Sequence, residues 1–250
     1  MFHSIQSISI YLLFLFTIFV CPMAIFAQSV EGYTTKKIQN YTVFISKTAL
    51  DQNPKRTQEA VNLLEQKLQE INVMGIDRSI LRILQSISFF VELNADDRSA
   101  LYHPSKEWLV SNGYIPEKAG AIEISNIDNF INWTNLNQPY LILHELTHGF
   151  HHKALGASDK LIQKAYKSAI SRGLYKRVLY NDGSGEKPWY NKSYAIENHH
   201  EYFAEITEAY FGQNDYFPFN KLDLQSYDPD GYRLLLKLWK IKQVSQRVSK

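Results

Sequence analysis

Apolar positions in the first half of this chain follow the spacing of strands and helices in turn. The stretch 33–46, with its Tyr-Thr-Val-Phe-Ile-Ser end, predicts a strand, and short β-branched or aromatic runs predict two more strands of one sheet at 87–93 and 121–125. A helix is predicted from Asn53-Pro54 to Gly75, because apolar residues between them recur at helical spacing. A second short helix is predicted over 76–85.

The second half of the chain has mainly helical spacing. Four helices are predicted there, over 138–154, 158–171, 198–211 and 231–244. The stretch 102–114 contains Pro, Gly, Trp and polar residues, which predicts an ordered surface loop. Strands first and helices later indicate an α+β fold. No Pro- or Gly-rich linker and no repeat interrupts residues 28–250, so we predict a single domain there.

The first thirty residues differ from the rest because they contain no Asp, Glu, Lys or Arg. Residues 10–20 form a dense apolar run, and small Ala27 follows shortly after it. This pattern is typical of a secretory signal peptide over 1–27, cleaved near Ala27, and it predicts a secreted, periplasmic or cell-surface protein. An uncleaved N-terminal membrane anchor is the alternative. The only cysteine, Cys21, lies in this leader, so any metal site of the exported chain must use His and carboxylate ligands.

Composition limits the classes of partner. Lys and Arg number 27 and Asp and Glu number 25, which leaves a formal net charge of +2. This balance predicts no nucleic-acid partner and no membrane contact beyond the leader segment. A hydrophobic content of 45% is enough for a substantial core. The overall charge therefore does not indicate a function, and any chemistry must reside in a few positions.

The chemistry is concentrated in the sequence His144-Glu145-Leu-Thr-His148. Positions i and i+4 of a helix differ by about 40° around its axis, so His144 and His148 project from one face and can bind one zinc ion. Glu145 lies beside the first ligand, where it can act as the general base for a water activated by the metal. The alternative is an ordinary buried helix whose histidines are satisfied by hydrogen bonds.

A catalytic zinc ion usually has three protein ligands, so a third ligand is needed. The extended metalloprotease pattern, with a third His six residues after the second, is absent because Ala154 stands there. The predicted helix over 198–211 offers Glu201 instead, which we expect to bind the metal. His199 and His200 are the competing ligands.

Glu205 lies one helical turn after the predicted third ligand. We expect it to accept a hydrogen bond from the outer ring nitrogen of His144 and so to orient that ligand. Glu208 is interpreted as an ordinary surface acid. His151 and His152 do not have the spacing needed to bind the same ion, and we expect them to be exposed or to lie behind the ligands.

The pair of histidines followed downstream by Glu201-Tyr-Phe-Ala-Glu205 resembles the zinc metallopeptidase domain shared by anthrax lethal factor and the Pro-Pro endopeptidases. The resemblance covers roughly residues 121–210. It implies a zincin-like α+β domain, in which a small mixed sheet packs on an active-site helix and the C-terminal half is helical. Neither the acidic peptide groove of the toxin nor the proline-reading loop of the endopeptidases is recognisable, so no substrate preference is carried over.

Two further expectations come from this resemblance. A tyrosine seven residues before the ligand glutamate assists catalysis in that family, and Tyr194 has this position here. It would donate a hydrogen bond to the developing oxyanion, with Tyr190, Tyr180 and a simple packing role as alternatives. The stretch 120–125 would form the edge strand that pairs with an extended substrate.

These observations predict an exported endopeptidase with one zinc ion, acting on a peptide or protein substrate. A zinc hydrolase of a non-protein amide is one alternative. Another is a catalytically inactive zincin-fold protein that binds a peptide or polymer. A closed structural zinc site is less consistent with the sequence, because Glu145 has no role beside such a site.

Overall fold

The structure is a computed structural model that describes residues 29–94 and 98–241. The predicted signal peptide and its cleavage near Ala27 lie outside the described residues, as does the end of the helix predicted over 231–244. Within the described ranges, none of the helices has both the length and the apolar character that crossing a membrane requires.

The described strands form two sheets. They are β1 (Tyr33–Ile38), β2 (Tyr41–Ser46), β3 (Phe89–Val91), β4 (Leu101–Tyr102), β5 (Ile122–Ile124), β6 (Val178–Leu179) and β7 (Trp189–Tyr190). The first five form a mixed sheet in the order β1-β2-β3-β5-β4, and β6 pairs with β7 in a separate ribbon. Strands β2, β3 and β5 are parallel, whereas β1 and β4 are antiparallel to their neighbours.

Ten α-helices occur in the described part of the chain. They are α1 (Lys47–Gln52), α2 (Pro54–Val73), α3 (Arg78–Gln85), α4 (Lys106–Ser111), α5 (Ile127–Leu136), α6 (Leu141–Phe150), α7 (Lys160–Ser171), α8 (His199–Phe211), α9 (Lys221–Tyr227) and α10 (Pro229–Leu238). The prediction of an α+β fold is confirmed, and the predicted helices correspond to α2, α3, α6, α7, α8 and α10. Helix α6 continues into a π-helical turn, His151–Leu155.

Two local predictions were wrong. The single strand predicted over 33–46 is a hairpin, in which Gln39 and Asn40 turn the chain with φ angles of 49° and 72°. This two-residue turn shifts the alternation by one position, so Ile38 and Tyr41 pair directly and both join the core. A single continuous strand does not allow for that shift. The loop predicted over 102–114 begins at β4 and contains α4, which Ser105 caps. Helix α4 is six residues long, too short to show a helical period.

The predicted edge strand is also different. The stretch 120–125 contains β5, which lies inside the sheet between β3 and β4. The edge strand on this side is β4, which has only two residues and pairs with β5 through Leu101 and Tyr102. A two-residue strand has no periodicity, so the sequence could not identify it.

The main core lies between one face of the mixed sheet and the helices. Val43 and Ile45 of β2 belong to this core, whereas Phe44 between them joins a small cluster on the opposite face. Helix α6 packs against α2, α8, β4 and β5. The ring of buried Trp239, from the end of α10, lies 4.8 Å from the Phe150 ring at the end of α6. These contacts bury α6 on several sides, so its polar side chains must find partners inside the protein.

Candidate metal centre

The motif predicted to bind metal lies on buried α6. His144 and Glu145 are each 7% exposed, although both are ionisable. The rings of His144 and His148 meet edge to face with centroids 4.8 Å apart, as expected for neighbours one turn apart on a helix. Burial of these three side chains is costly unless they are paired or bind an ion.

Helix α8 brings Glu201 to this pair. The Asn198 side chain caps the helix, because its Oδ1 accepts hydrogen bonds from the backbone N–H of His200 at 2.8 Å and of Glu201 at 3.1 Å. The Glu201 Oε2 atom lies 3.1 Å from His144 Nε2 and 3.1 Å from His148 Nε2. The structure therefore brings the predicted third ligand next to both histidines.

The donor types and two of the ligand separations suit a zinc-like ion. Two ligand atoms bound tetrahedrally at 2.0–2.1 Å are about 3.3 Å apart. The Nε2–Oε2 separations of 3.1 Å in this cluster are close to that spacing. Two imidazole nitrogens and one carboxylate oxygen also form the donor set of zinc sites that leave one position open.

Electrostatics at the centre favour a positive charge. Burial by itself would lower the pKa of His144, but hydrogen bonds with Glu201 and Glu208 outweigh it and raise the pKa well above the usual value. Burial would raise the pKa of Glu201, but hydrogen bonds from His144 and His148 hold it well below its usual range. The carboxylates around His144 therefore stabilise a cation at this position.

The predicted hydrogen bond between His144 and Glu205 is wrong. His144 Nδ1 lies 2.6 Å from Oε1 of Glu208, which is 6% exposed and is not a surface acid. Glu201, Glu205 and Glu208 have i, i+4, i+7 spacing, so all three lie on the α8 face that meets α6. That spacing indicates from the sequence that Glu208 shares the face of Glu201. It does not show which carboxylate contacts the His144 ring.

Glu205 belongs to a group of buried acids beside this hydrogen bond. Its Oε2 accepts a hydrogen bond from Asn214 Nδ2 at 3.0 Å, and Oδ2 of Asp215 accepts one from Gln138 Nε2 at 3.2 Å. Burial, followed by the charges of Asp215 and Glu208, raises the pKa of Glu205 well above normal. Burial and the charge of Glu208 raise the pKa of Asp215 to about 7.

Glu145 is held by the edge strand. Its Oε2 accepts a hydrogen bond of 2.7 Å from the backbone N–H of Tyr102 in β4. Burial raises the pKa of Glu145, although the charges of His148 and His144 oppose the shift. A raised pKa is suited to a carboxylate that accepts and returns a proton near neutral pH. The donor is a backbone N–H of a distant residue, so the pattern of side chains in the sequence does not predict this contact.

Tyr194 lies at the mouth of the centre, in a short 3-10 turn whose first residue it is. Its ring centroid is 6.3 Å from that of His144, and the residue is 48% exposed. Burial, followed by the charge of Glu201, raises the pKa of its phenol. The alternative Tyr180 lines the same cavity, and the Tyr190 ring lies tilted against that of Tyr180 with centroids 4.6 Å apart.

A cavity of about 350 Å³ extends from the centre. Its lining includes the predicted base and tyrosine, the buried acids and several aromatic residues: His144, Glu145, Tyr194, Glu205, Glu208, Asp215, Trp133, Tyr180 and Tyr216. The residues 98–100, just before β4, line it too. The candidate base and the metal cluster therefore face a space in which a substrate can bind.

Four further histidines of α8 and the turn after α6 make other contacts. Of the two expected positions, exposed or behind the ligands, the exposed one does not apply to His151, which is 1% exposed, whereas His152 is exposed. His199 Nε2 donates to the Ala157 carbonyl at 3.0 Å, and His200 Nδ1 lies 3.2 Å from His151 Nδ1. Burial and the neighbouring His200 and His199 lower the pKa of His151 to about 4.

No protein-family model, curated protein or solved structure matches this chain.

Proposed function

We propose that this protein is a zinc-dependent endopeptidase. One observation carries the proposal: Glu201 Oε2 lies 3.1 Å from Nε2 of both His144 and His148, with buried Glu145 beside them. These two histidines and Glu201 would hold the ion and leave one coordination position free. When bound, zinc polarises a substrate carbonyl and lowers the pKa of a water molecule.

Glu145 is the general base of the proposed reaction. It accepts a proton from the attacking water and delivers it to the amine that leaves when the peptide bond breaks. The Tyr102 N–H holds its Oε2 at 2.7 Å and so fixes the orientation of the carboxylate. Its raised pKa makes the protonated form accessible for the second transfer.

Tyr194 supports the oxyanion in this proposal. A phenol at the cavity mouth can donate a hydrogen bond to the carbonyl oxygen as negative charge develops on it. The donor must keep its proton, and burial and Glu201 raise its pKa in the required direction. Its ring centroid lies 6.3 Å from that of His144, so the phenol lies beside the proposed ligands.

The edge strand supports a peptide as the substrate. Among the described strands, β4 pairs only with β5. The Tyr102 N–H on its other side donates to Glu145, and the remaining outward backbone groups can bind an extended chain. The same strand holds Glu145 through Tyr102. A peptide added there would lie beside the base and the metal cluster, a geometry that a small non-protein amide does not need.

A peptide-library cleavage assay tests the proposal. The zinc-loaded protein should cut a subset of peptides, a chelator should stop cleavage, and added zinc should restore it. Glu145→Gln should retain zinc but reduce turnover roughly 10²- to 10⁴-fold, because proton transfer contributes about that much. Glu65→Gln is the matched control, since Glu65 is exposed on α2.

Three results contradict the proposal in different ways. Binding of peptides without cleavage would identify a binding protein. Cleavage that survives complete removal of metal would exclude the zinc mechanism. Turnover that is unchanged in Glu145→Gln would assign the base to another residue.

A further inference from the structure

A second group of imidazoles lies between the same two helices. His151 belongs to the π-helical turn that follows α6, and His199 and His200 form the first turn of α8. One ring nitrogen from each of the three residues lies within 4.8 Å of the others. We propose that His151, His199 and His200 form a second site, for a divalent transition-metal ion, separate from the His144 centre.

The spacing of the nitrogens supports this proposal. The Nδ1 atoms of His151 and His200 are 3.2 Å apart, close to the separation of about 3.3 Å expected for two nitrogens on one tetrahedral ion. His199 Nε2 donates to the Ala157 carbonyl at 3.0 Å, which leaves His199 Nδ1 as the nitrogen with a free lone pair. A metal-binding histidine commonly makes such a hydrogen bond through its other nitrogen.

Ordinary hydrogen bonding does not account for the buried member of the group. His151 is 1% exposed, and its Nε2 has no hydrogen-bond partner among the described residues. A buried polar atom of this kind is costly unless another interaction compensates for it. An ion bound at His151 Nδ1 would replace the single hydrogen bond between the His151 and His200 rings and would leave Nε2 unchanged. The meeting of three imidazoles, rather than the unpaired Nε2, therefore supports the ion.

The donor type selects the class of ion. In the described ranges, none of these three histidines forms an ion pair with a carboxylate, in contrast to His144 and His148. Three neutral imidazoles favour Zn²⁺, Co²⁺, Ni²⁺ or Cu²⁺ over Mg²⁺ or Ca²⁺, which prefer oxygen ligands. His199 and His200 are only half-buried, so the ion can enter from the surface.

An ion at this site would connect two segments that position the catalytic centre. Glu201 directly follows His200, and His151 lies three residues after His148. A cavity of about 290 Å³ beside the group is lined by His148, His200 and Glu201 among others. The second ion would therefore hold the start of α8 against the end of α6, next to the proposed catalytic ligands.

Metal titration of the purified protein tests this site without an activity assay. The protein is stripped with a chelator and titrated with Zn²⁺, and bound zinc is measured after equilibrium dialysis, with Co²⁺ absorption as an independent signal. The wild type should bind two equivalents. His199→Ala and His200→Ala should each bind one, because removal of one of three ligands should weaken the second ion by roughly 10- to 100-fold or more.

The controls separate this site from the catalytic one. His152→Ala removes an exposed neighbouring histidine outside both groups and should still bind two equivalents. Glu201→Ala should lose the ion of the His144 centre and keep the ion bound by His151, His199 and His200. His199→Ala is the decisive variant, since it is half-buried and not adjacent to Glu201, and circular dichroism and thermal unfolding check that it folds.

Each outcome has one meaning. Two equivalents in both His199→Ala and His200→Ala would overturn the second site. One equivalent in the wild type, lost only in Glu201→Ala, would also overturn it while leaving the proposed peptidase intact. One equivalent lost only in His199→Ala and His200→Ala would support the second site and contradict the zinc centre of the proposed function.

Discussion

Glu208 orients the first histidine of the candidate centre. Its Oε1 lies 2.6 Å from His144 Nδ1, so Nε2 of the same ring is directed toward Glu201. Glu205, one turn earlier on α8, bonds to Asn214 instead. Because a carboxylate behind a metal-bound histidine orients the ring and makes it more basic, the two acids should contribute differently to metal affinity.

Substitution of each acid by glutamine tests this difference. We expect Glu208→Gln to weaken zinc binding roughly 10- to 100-fold, because the charged partner of His144 is lost. Glu205→Gln should change affinity much less, since its raised pKa already favours the neutral form. Competition with a chromophoric chelator measures both affinities. Equal losses in the two variants would show that the hydrogen bond to Glu208 has no special role.

The raised pKa of buried Asp215 predicts that the stability of the protein depends on pH. Its pKa in the folded protein is about 7, against 3.8 for an ordinary aspartate. Between these values the unfolded chain releases its proton more readily than the folded chain. The free energy of unfolding therefore falls as the pH rises from about 4 to about 7, and this contribution is constant at higher pH.

Asp215→Asn removes that titration. In chelator-treated protein, urea unfolding should show the variant gaining stability over the wild type as the pH is raised from 4.5 to 8. Asp51→Asn, at an exposed position on α1, is the control. A difference between wild type and Asp215→Asn that does not vary with pH would contradict the raised pKa.

At the scale of elements, helix α6 approaches the sheet side of the core closely at Gly149. A Cβ atom on Gly149 would lie 2.4 Å from Ile87 Cδ1 and 3.2 Å from the Tyr102 ring. A side chain at Gly149 would require the buried Ile87 or Tyr102 side chain to move, and Tyr102 is the residue whose N–H holds Glu145.

Gly149→Ala should destabilise the protein by about 1–3 kcal/mol through this overpacking. The better helix propensity of alanine stabilises the variant by about 1 kcal/mol. This gain is smaller than the cost of moving the backbone or the core, so the free energy of unfolding should still fall. Ile87→Val removes the Cδ1 atom that clashes. The double variant should therefore lose less stability than the sum of the single variants, as measured by denaturant unfolding. Strict additivity would show that the close approach is relieved elsewhere.

For the whole molecule, the candidate centre depends on contact between distant segments. His144 and His148 come from α6 and Glu201 from α8, and the two helices pack together around Phe150 and Phe203. An unfolded chain does not hold these ligands together, so metal binding is coupled to folding.

Zinc should therefore stabilise the folded protein. Free zinc at 100 times the dissociation constant of the His144 centre contributes about 2.7 kcal/mol. For a domain of this size, that raises Tm by roughly 5–11 °C. Glu201→Ala should lose this part of the increase, and a chelator should reverse it, both measured by scanning calorimetry. An equal Tm increase in the wild type and in Glu201→Ala would show that zinc stabilises the protein through another site.

The sequence by itself determined the features that depend on neighbours along the chain. Helical spacing identified α2, α6 and α8. His144 and His148 were predicted to share a face because i and i+4 positions do so on any helix. Glu201 was predicted as their partner from its residue type and its position on a second helix, and the structure brings the three together.

Only the tertiary structure decided which side chains meet across elements. The axial offset of α6 against α8 brings Glu208 rather than Glu205 to His144, and it gathers His151 with His199 and His200. Sequence spacing gives a residue's position around its own helix, but not the height at which two helices cross. The sequence did not predict β4 either, because a strand of two residues has no period and is defined only by its pairing with β5.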